Sequence, residues 1–325
     1  MQQPHLSRRA GVLGVHSIDR VVYSVPDLDE AERFYRAFGL DVRRSADRLA
    51  LLIFGHPQVW AQIHQGGSTK RLGYLSYGVD QADLPAWRER IAEHGLACAA
   101  HPLSDGSGLW LRDPDGTALQ LLAAPKVSPS AKSSPHAPRD VMPGRGAAPA
   151  RSAMFPVRPR CLSHVLFFTP DVSRMVEFGE KVLGLRLSDR SADVIAFMHG
   201  VHGSDHHLVA FAKSHAPGLH HTSWDVGSFD DIGAGAEQMR IAGYDKGWGV
   251  GRHVLGSNYF HYVRDPWGSF AEYSFDIDFV PHTLDWPAAD HPLHDSLYVW
   301  GPPVPDDFIA NHEAPHFEPQ SGDTA

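Results

Sequence analysis

Cysteine is nearly absent from this 325-residue chain: Cys98 and Cys161 are the only two, and no Cys-x-x-Cys occurs. A disulfide framework is therefore excluded, and a reducing compartment is expected. Long apolar runs are missing as well. No stretch approaches the roughly 18 residues of a membrane span, and the opening MQQPHLSRRAGVLGVHSI lacks a long apolar signal core. No membrane partner is expected, and the reading is a cytoplasmic protein. Basic charge is in deficit, with 29 Lys and Arg against 38 Asp and Glu, a net charge of −9. That balance, and the lack of a basic stripe with interleaved aromatics, argues against a nucleic-acid partner.

What the chain has is apolar residues, histidines and a repeat. The hydrophobic share of 42% supports a real core, and the length suits two domains. The 22 histidines invite a search for metal ligands. Residues 125–159, rich in Pro, Ser, Ala and Gly, carry no apolar period and read as a linker or long loop.

The segments on either side share one plan. IDRVVYSVPDLDEAERFYRAFGL and LSHVLFFTPDVSRMVEFGEKVLGL are each a strand, a Pro-Asp helix start and an amphipathic helix ending at Gly-Leu. LGYLSYGV pairs with LHHTSWDV, each followed by a helical stretch. WLRDPDGTALQLL pairs with YVRDPWGSFAEYS, each a hairpin around Asp-Pro-x-Gly. A strand-rich module repeated four times suits an α+β fold with curved sheets and outer helices. The expected division is 1–124, linker 125–159, 160–278, and a Pro- and aromatic-rich tail 279–325 that wraps the surface and covers a pocket mouth.

The two copies differ where chemistry would sit. Seven residues before the helix-start Asp stand Arg20 and His164. Four residues before the strand-end Gly-Val or Asp-Val stand Tyr74 and His221. Seven residues after the Asp of Asp-Pro-x-Gly stand Gln120 and Glu272. The first copy reads Arg, Tyr, Gln; the second reads His, His, Glu. Two imidazoles and a carboxylate on three strands suit a facial metal triad with open positions. One histidine at a strand start is more often structural; two histidines and a glutamate at equivalent places of a repeat are stronger evidence. Strand alternation sends His220 and His221 to opposite faces, with His221 inward.

Residues 251–274, GRHVLGSNYFHYVRDPWGSFAEYS, together with the His-His pair, resemble the type I extradiol ring-cleaving dioxygenases of the vicinal oxygen chelate superfamily. The shared pattern is Gly-Arg-His, Tyr nine residues after that His, Asp-Pro-x-Gly, and Glu nineteen residues after the His. The resemblance covers about residues 15–278. It implies a vicinal oxygen chelate fold of four βαβββ modules paired into two domains, the first without its metal site. It further implies Fe(II), with Mn(II) as an alternative, held by His164, His221 and Glu272. The partners would be a catechol substrate and O2, the product a muconic semialdehyde-type compound, and the assembly a homo-oligomer. His207 would be the acid–base group, with His206 as a possible swap. His253 would hydrogen-bond a substrate oxygen, and Tyr262 would orient the catechol and help deprotonate it. Leu166 is expected to line the pocket, and His199 to mark a polar ring substituent. Competing expectations are a hydroxyphenylpyruvate dioxygenase-like or glyoxalase-like enzyme, and a metal-free binder of the same fold.

Overall fold

The structure, a computed structural model, describes residues 8–137 and 141–314. The parts of the expected domains, linker and tail beyond these lie outside the described residues. In the first half, β1 (Ser17–Val25), α1 (Leu28–Ala37), β2 (Asp41–Arg44), β3 (Arg48–Leu52) and β4 (Ala61–Gln65) form one module. β5 (Arg71–Val79), α2 (Leu84–Glu93), β6 (Leu109–Arg112) and β7 (Ala118–Ala123) form the next. The second strand of that second module shrinks to one bridge, Ala97 to Leu111. The stretch beyond it, with Pro102, Gly106 and Gly108, is poor strand material. The sheet order is β2-β3-β4-β1-β5-β7-β6.

The second half repeats this plan with β8 (Cys161–Thr169), α3 (Val172–Phe178), β9 (Leu185–Ser191), β10 (Ile195–Gly200), a short β11 (Ser204–Asp205) and β12 (Val209–Lys213). β13 (Gly218–Asp225), α4 (Phe229–Ile241), β14 (Gly247–His253), β15 (Tyr259–Arg264) and β16 (Phe270–Phe275) follow. The tail is not bare loop. It adds β17 (Phe279–Val280), β18 (Ala289–Asp290) and β19 (Tyr298–Trp300), the last two extending the second sheet at both edges. Among the described residues, no helix is long and apolar enough to cross a membrane.

The Pro-Asp signals cap helices as expected: Asp27 accepts from the backbone of Asp29 and Glu30, and Asp171 from that of Arg174. Each Gly-Leu stop has a steric reason. Gly39 sits at φ 96° and Gly184 at φ 69°, and a Cβ would lie 2.0 Å from Val157 O or 2.2 Å from Leu13 O.

One core runs through both halves. The ring of Phe38 stacks on Tyr273, whose hydroxyl donates to Phe38 O at 2.9 Å. A buried ion pair, Lys70 Nζ to Asp265 Oδ2 at 2.5 Å, also joins them. Removing one partner strands a charge, so Lys70→Met is expected to cost about 3–5 kcal/mol in chemical denaturation. A loss below about 1 kcal/mol, the range of surface pairs, would contradict this role.

Strand alternation sorts the two faces of the second sheet. Val165, Phe167, Val209 and Phe211 enter the main core. Leu166, Phe168, Ala210 and Ala212 form a separate cluster on the other face. The first half fills its corresponding face with Val22, Tyr74, Trp110 and Ala118.

Candidate metal centre

Cross-strand register assembles the site. On the first sheet, Arg20 pairs with Ser76, which pairs with Gln120. On the second, His164 pairs with Ser223, which pairs with Glu272, which pairs with Tyr262. Directly opposed residues share a face, so His164, Ser223, Glu272 and Tyr262 form a row across four strands. His221 lies two residues back on the same face of β13 and completes the group.

The three candidate ligands are buried, and one ligand atom from each lies within 4.8 Å of the others. Glu272 Oε2 stands 3.2 Å from His164 Nε2 and 3.6 Å from His221 Nε2. Among the described residues this is the one such group. In the first copy, Arg20 pairs with Asp19, Tyr74 packs against Trp110, and Gln120 donates to Ser107 O.

Partners on the far side of each imidazole assign its proton. Phe308 O, a pure acceptor, is 2.8 Å from His220 Nε2, which is therefore N–H. Neutral His220 then accepts at Nδ1, 2.7 Å away, from the Nδ1–H of His221. The lone pair of His221 is left on Nε2, facing Glu272. Similarly, the Ser163 hydroxyl donates to Asp205 at 3.1 Å and accepts from His164 Nδ1 at 3.2 Å, freeing His164 Nε2. Burial pushes Asp205 up to about 7.

His221 Nε2 and Glu272 Oε2 are buried without a hydrogen-bond partner. Unsatisfied buried acceptors cost stability unless a cation meets them. Burial pushes His221 well below its ordinary value, followed by the neighbouring His220, His164 and His253, which favours the neutral ligand form. Burial alone would raise Glu272, but the neighbouring His164 and His253 imidazoles hold it below the usual range. Two neutral imidazoles and one carboxylate fit a divalent ion of the iron, manganese or zinc type.

His220 does not face the opposite side. The register slips between Leu219 and His221, so His220 is the extra residue of a β-bulge and both rings line the cavity. Because His220 orients His221, His220→Leu is expected to weaken metal binding about 10–100-fold in chelator competition. Unchanged affinity would remove that role.

A cavity of about 190 Å³ opens over His164 and His221. His207, His253, Asn258, Tyr262 and Leu166 line it. The ring of His207 is 4.0 Å from that of His164, whereas His206 turns away toward Asp189. His253 donates from Nδ1 to Leu297 O at 2.8 Å, so its Nε2 accepts from the Tyr262 hydroxyl at 2.9 Å. Burial, then the charge of Glu272, pushes Tyr262 well above its ordinary value and keeps it a phenol. His199 does not line the cavity. It sits behind it, against Ser188 Oγ at 2.8 Å, with burial pushing it down to about 4. The tail expected to cover a pocket mouth lines this cavity with residues the sequence did not single out: Leu293, Leu297, Val304, Phe308 and Ile309. A tail without apolar period carried no signal of which residues would turn inward.

Residues 162–273 match the model of the Glyoxalase/Bleomycin resistance protein/Dioxygenase superfamily. The chain belongs to the extradiol dioxygenases of that superfamily and is an enzyme of that class. It is 51% identical to metapyrocatechase 2 of Cupriavidus necator over 92% of this chain and 93% of that protein. It is also 26% identical to biphenyl-2,3-diol 1,2-dioxygenase of Metapseudomonas furukawaii, covering 75% of this chain and 79% of that one. Among solved structures, the Mn(II)-bound glyoxalase from Novosphingobium aromaticivorans superposes with a TM-score of 0.71 at 26% identity, covering 90% and 96% of the two chains.

Proposed function

We propose that this protein cleaves a catechol ring beside its two hydroxyls, using O2 and Fe(II) held by His164, His221 and Glu272. The observation that carries the reading is the pair of unpartnered buried acceptors, His221 Nε2 and Glu272 Oε2, 3.6 Å apart, with His221 lining an apolar cavity. Mn(II) suits the same donors. When bound, the ion supplies a Lewis-acidic, redox-active centre for catechol and O2.

The protein's own groups position the substrate. Tyr262 commits its proton to His253, so its oxygen keeps lone pairs to accept from a catechol hydroxyl. Held as a phenol by burial, it orients the ring rather than repelling a catecholate. His253 keeps Tyr262 in place through Leu297 O. His207, against His164 at the cavity wall, is placed to take and return a proton at the reacting oxygens. Leu166, Ile195, Phe197, Leu255 and Phe308 surround the ring and exclude water. Those walls suit a catechol with an apolar substituent better than one with a carboxylate, since Lys213 is the one charged cation of the lining.

The test is anaerobic purification with ferrous iron, metal analysis, and a panel of alkyl-, halo-, aryl- and carboxy-substituted catechols. Stoichiometric iron and a yellow product that needs O2 are expected, with the apolar catechols ahead. Turnover of a substrate without O2 uptake would place the protein with the metal-dependent isomerases of the superfamily. No bound metal would remove the reading.

A further inference from the structure

Behind His207, away from the cavity, runs a chain of polar contacts that positions no substrate. His207 Nδ1 lies 3.1 Å from His206 Nδ1. His206 Nε2 lies 2.9 Å from Asp189 Oδ2. Asp189, on β9, is buried, yet it accepts from three tail groups besides His206. They are Trp286 Nε1 at 3.3 Å, the Ala289 backbone N–H at 3.0 Å and His291 Nε2 at 2.9 Å. The Ser188 hydroxyl, next along β9, donates to the backbone oxygen of His206 and holds that residue in line. The Trp286 ring closes against His206 edge-on, with centroids 5.3 Å apart.

Hydrogen-bond roles along this chain are not free. A carboxylate only accepts, so His206 Nε2 carries a proton. With its one ring proton placed there, His206 offers a lone pair at Nδ1. The facing nitrogen, His207 Nδ1, must be the donor. His207 is thereby held as the Nδ1–H tautomer, and its Nε2 carries the lone pair. The opposite tautomer would set two lone pairs against each other at 3.1 Å.

We propose that Asp189, clamped by tail residues 286–291, is a positioning residue that fixes the proton of His207 on Nδ1 through His206. The cavity then meets an unprotonated Nε2, the form able to accept a proton from a catechol hydroxyl. This rests on the ring-cleavage reading for its catalytic meaning, but not for its hydrogen-bond assignment. The tail acts the same way at two other points, through Phe308 O on His220 and Leu297 O on His253. A tail that packs as a cover thus also sets the protons of the histidines beneath it.

The test is long-range proton–nitrogen NMR of the Zn(II)-loaded full chain, labelled with 15N at histidine. Wild type is expected to show His207 protonated at Nδ1 and His206 at Nε2. Asp189→Ala should move the His207 proton to Nε2, and His206→Leu should do the same. His206→Gln keeps both an acceptor for His207 and a donor for Asp189, and should restore Nδ1–H. In the Fe(II) enzyme, Asp189→Ala should lower kcat about 10–100-fold, the usual effect of losing an outer partner. KM and iron content should be unchanged, and His206→Gln should retain most of the rate. A wild-type His207 protonated at Nε2 overturns the proposal without any variant, as does a proton unmoved by both Asp189→Ala and His206→Leu. The NMR readout needs no turnover. A failure of ring cleavage and a failure of this assignment are therefore told apart.

Discussion

Glu272→Gln is expected to strip the protein of its metal and of ring cleavage together. The substitution keeps the shape of the side chain but removes the one negative charge of the ligand set. Two neutral imidazoles and an amide hold a divalent ion poorly. Loss of affinity should exceed the roughly 100-fold that loss of an outer partner costs. Metal analysis after dialysis and a catechol assay check both halves of this expectation. A variant that keeps stoichiometric metal would move the centre elsewhere.

Tyr262→Phe should separate chemistry from metal binding. The ring packs against Trp248, Phe270 and Phe308, so phenylalanine fits the same space. The hydroxyl touches His253, not a ligand histidine. Iron content should therefore remain at the wild-type level while kcat falls about 10²-fold, the scale of a misplaced substrate. Single-turnover measurement with saturating catechol is the check. A rate within a few-fold of wild type would show Tyr262 to be packing alone.

The triad was legible because a repeat and a strand period acted together. His164 and Glu272 occupy the register positions that Arg20 and Gln120 occupy in the first sheet, with Ser223 and Ser76 between them. Periodicity reports such alignments, since each is local to one strand. It does not report a bulge, so His220 was sent to the wrong face. His199 was misjudged for a different reason. Its place beside Ser188 depends on how β9 and β10 pair, and nothing in a Gly-rich turn fixes that pairing. Least legible was the tail. The contact between Asp189 and His291 joins residues 102 apart in a segment with no helical or strand period. Only folding shows that Leu297 O and Phe308 O fall on histidine nitrogens.

The most direct measurement is O2 consumption by the ferrous-loaded protein in an oxygen electrode, with a limiting amount of an apolar-substituted catechol and the ring-opened product followed by absorbance. One O2 consumed per ring opened, with no hydrogen peroxide released, is the predicted result. Ring opening without O2 uptake, or O2 uptake that yields only peroxide and quinone, would contradict a dioxygenase centred on His164, His221 and Glu272.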